Sequence, residues 1–203
     1  MATEDAQNPG DSTADIERFL DELDAGGVGG PNRASHVFAR FGDSALPRLV
    51  AAMQVSRGII RLRAALMLGD TRSARAIEPL IAALRDDDPR MRATAAVALG
   101  KIADSQAFEP LSRAISDGVA FVACTAVSAL GKLDDVRVVE TLDEAVTTHP
   151  EYTVRDVAAL VLLGRGESGQ RAVNEALTTQ MRLLVLQRCG PLVAQGKRGL
   201  SPR

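Results

Sequence analysis

An interval of 31 residues runs through the chain and limits what it can fold into. Alanine recurs at Ala52, Ala83, Ala114, Ala145 and Ala176, always at that step. Three positions earlier stand Leu49, Leu80, Leu111, Leu142 and Val173; one position later stand Met53, Leu84, Ile115, Val146 and Leu177. A second block follows each of the first three copies. It reads RLRAALMLG (61–69), RATAAVALG (92–100) and ACTAVSALG (123–131), and Gly69, Gly100 and Gly131 keep the same step. The fourth copy, RDVAALVLLG (155–164), slips by two residues, and the fifth (181–190) is degenerate. Self-similarity at such a period marks an array of supersecondary units, none of which can bury its apolar face alone.

Each unit reads as two helices. In AIEPLIAALRD (76–86) the apolar positions Ile77, Leu80, Ile81 and Leu84 fall at i, i+3, i+4 and i+7, the stripe of an amphipathic helix. Pro79 lies in its first turn, where a missing N–H costs nothing. The turn DDDP (86–89) ends this helix, because Pro89 disfavours helical backbone before it. The segment MRATAAVALG (91–100) then forms a second, alanine-rich helix, and its terminal glycine suits a left-handed C-cap. Its small side chains let neighbouring helices approach closely. The expected fold is therefore all-α: an α-solenoid of stacked antiparallel helix pairs, about five units long, in the manner of a HEAT-like or armadillo-type superhelix.

Composition agrees with this. Apolar residues make up 46% of the 203 residues, but aromatics only 3%, so a core must be built from Ala, Leu, Val and Ile. That suits close-packed helices better than a β-sandwich. The net charge of −2 is unevenly spread. Residues 1–30 carry eight acids against Arg18, residues 31–190 are nearly neutral, and residues 191–203 hold Lys197, Arg198 and Arg203 with no acid. The expected organisation is an acidic N-terminal segment (1–30), a repeat domain (31–190) and a basic tail (191–203). A neutral body argues against strong nonspecific nucleic-acid binding. No apolar run reaches the length of a membrane span. The start MATEDAQNPG lacks the basic and apolar regions of a signal peptide. A soluble cytoplasmic protein is expected.

Outside the array, STADIERFLDELD (12–24) reads as a short helix capped by Ser12, with Ile16, Phe19, Leu20 and Leu23 on one stripe, followed by a flexible GGVGGP hinge (26–31). It either docks as an end cap or acts as a tethered acidic element. A helix at 32–41 would be half of a leading unit. The segment MRLLVLQRCGPLV (181–193) is apolar nearly all round. Either residues 191–200 fold back over it, or it is an edge for self-association or a partner.

The stretch PLIAALRDDDPRMRATAAVALGKI (79–102) resembles the HEAT-like repeat of the phycobilisome-lyase (PBS lyase) family. The shared features are a proline-leucine, an alanine-leucine pair, an acidic turn, an arginine, and alanines ending in leucine-glycine. The resemblance extends over 43–164 and fades beyond. It implies an α-solenoid with the second helices on the concave face. It also implies proteins that hold a tetrapyrrole while it is attached to a cysteine of another protein.

The candidate site residues are Arg57, Arg61, Arg63, Arg92, Phe121 and Tyr152. An arginine at the start of a second helix can bond an acid of the turn before it, and Asp86 and Arg92 have the six-residue spacing this needs. Arg63 would face Arg57 at that spacing, and Arg155 would face His149. Arg57, Arg61 and Arg63, three guanidiniums within seven residues, therefore read better as an anion-binding patch. Phe121 aligns with Arg90, so it either tucks between units or stands out, with Tyr152, as an aromatic anchor for a partner.

Catalytic chemistry is thin. His36 and His149 are the only histidines, and neither adjoins a glutamate, so the His-Glu pairs that hold iron in deoxyhypusine hydroxylase are missing. Cys124 lies in an apolar helix and reads as an inert core thiol, and Cys189 as somewhat more exposed. No P-loop, G-x-S-x-G or zinc spacing occurs. The sequence expectation is thus a non-catalytic interaction or scaffold module without cofactor or metal. Its partner would be another protein that offers an acidic segment to the concave face. Two alternatives stand beside it: a bilin lyase or chaperone-like protein, with propionates on the arginines, and a regulatory subunit autoinhibited by its acidic N-terminal segment.

Overall fold

The computed structural model describes residues 16–19, 36–37, 40, 44–55 and 58–175. Two compact units divide the chain, Met1–Asp135 and Val136–Arg203. Among the described residues all regular structure is helical.

The first unit holds three successive helix pairs: α1 (Ala45–Val55) with α2 (Ile59–Asp70), α3 (Ile77–Ala83) with α4 (Pro89–Ile102), and α5 (Phe108–Ala114) with α6 (Ala120–Leu130). Each pair packs on itself, and α4 packs on α2 and α6 on α4. This is the α-solenoid that the period predicts. The second unit holds a pair of the same kind, α7 (Arg137–Thr148) packed on α8 (Tyr152–Leu163).

The repeated columns are the core. Leu49, Leu80, Leu111 and Leu142 have no exposed surface, and Met53, Leu84, Ile115 and Val146 are buried beside them. Each such leucine contributes about 1.5–3 kcal/mol relative to an exposed one. Pro79 and Pro110 lie in the first turns of α3 and α5, where helical N–H groups lack intrahelical partners. Pro89 is the first residue of α4, and the side chain of Asp88 caps that helix by accepting from the Arg90 N–H. Residues 16–19 are helical with Ile16 fully buried, and the described residues of 32–41 are helical with Val37 buried. The rest of the acidic segment, and the apolar segment 181–193 with Cys189, lie outside the described residues.

The repeating glycine departs from expectation. Gly69 and Gly100 do not cap their helices; they lie inside α2 and α4. The left-handed residue comes three positions later in each unit, at Arg72 (φ 51°) and Ala103 (φ 58°). What the glycine serves is close approach. A Cβ on Gly69 would lie 2.6 Å from the Ala98 Cα, and one on Gly100 would lie 2.9 Å from the Ala129 Cα. No Cβ fits where a neighbouring backbone stands so near. The second helices thus form the tight layer of the first unit, as their alanine content predicts. Cys124, on α6, is half-buried rather than enclosed in the core.

Candidate functional site

The N-terminal ends of the second helices carry a ladder of arginines, and its rungs run between units. Arg92 donates from Nε and a terminal nitrogen to the two carboxylate oxygens of Asp117, at 2.7 and 3.0 Å. Asp117 lies 25 residues ahead, in the turn of the next unit. The other terminal nitrogen of Arg92 donates to the carbonyls of Asp86 (2.9 Å) and Asp87 (3.3 Å) in the turn behind it. One unit earlier Arg61 repeats the pattern: Nε donates to the Met53 carbonyl at 2.9 Å, and a terminal nitrogen pairs with the Asp86 carboxylate. At the far end of the same helices, Lys101 Nζ reaches Asp70 at 2.5 Å. α2 and α4 are therefore tied by charge at both ends, and α4 and α6 at their N-terminal ends.

This corrects the expected pairing of Arg92 with the carboxylate of Asp86. The six-residue spacing is real, but the acceptor there is the Asp86 backbone carbonyl. Arg155, in the second unit, does the same with the His149 carbonyl at 2.6 Å. The guanidinium holds the Asp117 carboxyl below its ordinary value near 3.8, and Asp117 in turn raises the pKa of Arg92. Arg61 and Arg92 are thus committed to ion pairs whose side chains are mostly buried.

The other candidates are dispersed. Arg63 is half-buried on α2, and Arg57 lies outside the described residues. Phe121 stands out, with 59% of its surface exposed at the start of α6, rather than tucking between units. Tyr152 is 65% exposed at the start of α8, in the second unit. The ladder has no third rung in α6, because Ala123 occupies the arginine column and is buried.

Two clefts open between first helices, at equivalent places one unit apart. The one between α1 and α3, about 220 Å³, is floored by Met53, Pro79 and Ala83 and edged by Gln54, Ala82 and the Arg61–Asp86 pair. The one between α3 and α5, about 230 Å³, is floored by Ile81, Leu84 and Pro110 and edged by Arg85, Arg113 and Asp117. Arg85 and Arg113 are exposed, and neither side chain has a hydrogen-bond or ion-pair partner among the described residues. The sequence reading passed over both. The signal that finds them is the 31-residue alignment, which sets them against Gln54 and Ala82.

In the second unit, burial pushes the Asp143 carboxyl above its ordinary value, and the nearby Glu175 adds to the shift. Among the described residues no three His, Cys, Asp or Glu side chains gather as metal ligands. Nor is any described helix long and apolar enough to cross a membrane.

Comparison with known proteins adds the following. Residues 77–163 match the model of HEAT repeats, and residues 60–86 match the PBS lyase HEAT-like repeat. No curated protein matches the sequence. Among solved structures, the complex of CpcE and CpcF of phycocyanin lyase from Nostoc sp. PCC7120 shares the fold at a TM-score of 0.53. The match has 22% identity and covers 75% of this chain and 98% of that one. Human deoxyhypusine hydroxylase aligns at a TM-score of 0.46 and 24% identity, over 78% of this chain and 67% of that one. The match to the PBS lyase repeat corrects the expectation of a non-catalytic scaffold module. The repeat at 60–86 is of the lyase kind, which favours the bilin alternative; the phycocyanin lyase structure adds the shared fold. The reading of an autoinhibitory acidic segment falls on residues that, Ile16–Phe19 aside, are outside those described.

Proposed function

We propose, from the premise that this chain carries HEAT repeats of the PBS-lyase kind, that it is a bilin-handling protein, a lyase or chaperone-like relative. In this reading it holds a linear tetrapyrrole for attachment to a second protein. The observation that carries the reading is the match of residues 60–86 to the PBS lyase HEAT-like repeat. The fold shared with the CpcE–CpcF complex is in keeping with it.

The chemistry this chain can contribute is holding and orienting. Restricting a bound reactant to one pose near its acceptor lowers a barrier without an acid–base group on the holder. Among the described residues, Phe121 is the exposed aromatic side chain of the first unit and Tyr152 that of the second, and each offers a face on which a pyrrole ring can lie. Arg61 and Arg92 are left to the ladder in this reading, since a propionate would have to displace a paired aspartate to reach them. The complex of two chains in the phycocyanin lyase supports a further element: this chain works with a protein partner, and an acidic segment of that partner would meet exposed arginines.

The test is direct. Purified protein mixed with phycocyanobilin should shift and sharpen the visible absorption of the pigment, and Phe121→Ala should weaken the shift while leaving the far-ultraviolet circular dichroism unchanged. A bilin spectrum unaltered by saturating protein would remove this function.

A further inference from the structure

We infer that the cleft between α3 and α5 is the docking point for a partner polypeptide that presents a carboxylate beside an aliphatic side chain. The inference rests on the partner half of the proposed function and not on the tetrapyrrole half. Three observations carry it.

The first is a comparison the molecule makes with itself. The cleft between α1 and α3 is the same structure one unit earlier, built on the same proline, the same alanine column and the same turn aspartate. There the positions of Arg85 and Arg113 are held by Gln54 and Ala82, and the helices pair and stack as well. Folding therefore has no need of the two arginines.

The second is charge. Asp117 is the acid at the edge of this cleft, but its carboxylate is already held by Arg92 through both oxygens and by the Val119 N–H at 2.9 Å. The two guanidiniums beside it are left with no described acceptor. Two arginines lining one cleft, each a planar fork of donors, form a receptor for a carboxylate.

The third is size and lining. At about 230 Å³ the cleft lies below the roughly 300–1,000 Å³ of pockets that enclose a whole cofactor or drug-sized ligand. It suits one or two side chains. Its floor of Ile81, Leu84 and Pro110 is apolar, so the neighbour of the carboxylate should be aliphatic. An acidic residue flanked by leucine or valine on a protein surface has this character.

The probe is the capped dipeptide acetyl-Leu-Glu-N-methylamide, titrated into the full chain with its arginine Nε–H groups and its isoleucine and leucine methyls followed by NMR. Saturable shifts are expected at Arg85 and Arg113 together with Ile81 and Leu84. Acetyl-Leu-Gln-N-methylamide should bind about ten-fold more weakly, as should the double variant Arg85→Gln/Arg113→Ala, which copies the residues of the equivalent cleft. The glutamine probe shifting the same signals at the same concentration would overturn the inference, as would a glutamate probe that moves none of them. Tighter binding of hexanoate than of the glutamate probe would mark a site for free small acids, and would overturn it as well. The double variant also separates the two readings. An unchanged phycocyanobilin spectrum with lost dipeptide shifts supports docking, whereas loss of the bilin response would assign the cleft to the pigment. If the chain never alters the bilin spectrum, the dipeptide result stands by itself.

Discussion

Asp117 accepts three hydrogen bonds, two from Arg92 and one from the backbone N–H of Val119. All three favour its charged form, so its pKa falls on folding. An acid with a depressed folded value contributes stability at pH above its unfolded value, near 3.8, and that contribution disappears as pH falls through the lower folded value. Urea-unfolding midpoints should therefore drop between pH 5 and about 3, and Asp117→Asn should show a smaller drop over the same range. An equal drop in the variant would place the acid sensitivity elsewhere. Part of this rung was legible in the spacing: Arg92 stands six residues after the acid Asp86. What it could not show was direction. The spacing suited a bond back to a carboxylate, but the backbone carbonyl takes that place, and the carboxylate that is used lies 25 residues ahead. Only the stacking of one unit on the next brings that pair together.

At the level of the helix, the interval of glycines was legible but its purpose was misread. A glycine at the end of an alanine-rich helix ordinarily marks a left-handed turn, yet α4 continues past Gly100 to Ile102, and Ala103 takes the left-handed backbone. Two effects oppose each other in Gly100→Ala. Helix propensity favours alanine by about 1 kcal/mol. Against that, the new methyl would meet the Ala129 Cα at 2.9 Å and its Cβ at 2.9 Å, and backbone cannot swing aside as a flexible side chain can. Overpacking of this kind costs about 1–3 kcal/mol. The variant should be the less stable protein by chemical denaturation; a gain in stability would mean that α4 and α6 separate freely. Arg85 and Arg113 belong to this scale too. Each reads as an ordinary charge on the outer face of an amphipathic helix. They become distinctive only when helix is compared with equivalent helix.

For the molecule as a whole, a repeat array is held by nearest-neighbour contacts, so its stability should be close to a sum over interfaces. The ladder qualifies that sum. Arg61 grips the carboxylate of Asp86, and Arg92 grips its carbonyl, so two successive interfaces share one residue. Arg61→Gln and Arg92→Gln should each cost about 1.5–3 kcal/mol, as charged hydrogen bonds do. The double variant should depart from their sum by about 0.5 kcal/mol or more. Additivity within experimental error would show that the rungs act separately. The buried columns explain why the architecture itself was open to the sequence: every member of the leucine column described is in the core. The function was less open, because a pattern of buried alanines and leucines says nothing about what the outside touches.

The forward reach of Arg92 has a consequence for how such a chain can lengthen. A segment of 31 residues that begins at one helix pair and ends before the next contains a donor for the copy after it and an acceptor for the copy before it. Duplicating that segment in the gene would place a new guanidinium opposite a new carboxylate with no compensating mutation, so growth by whole steps leaves no orphaned charge. A break of any other length would strand one partner. Where the ladder stops, at buried Ala123, the lineage could change the interval, and the next copy does slip by two residues.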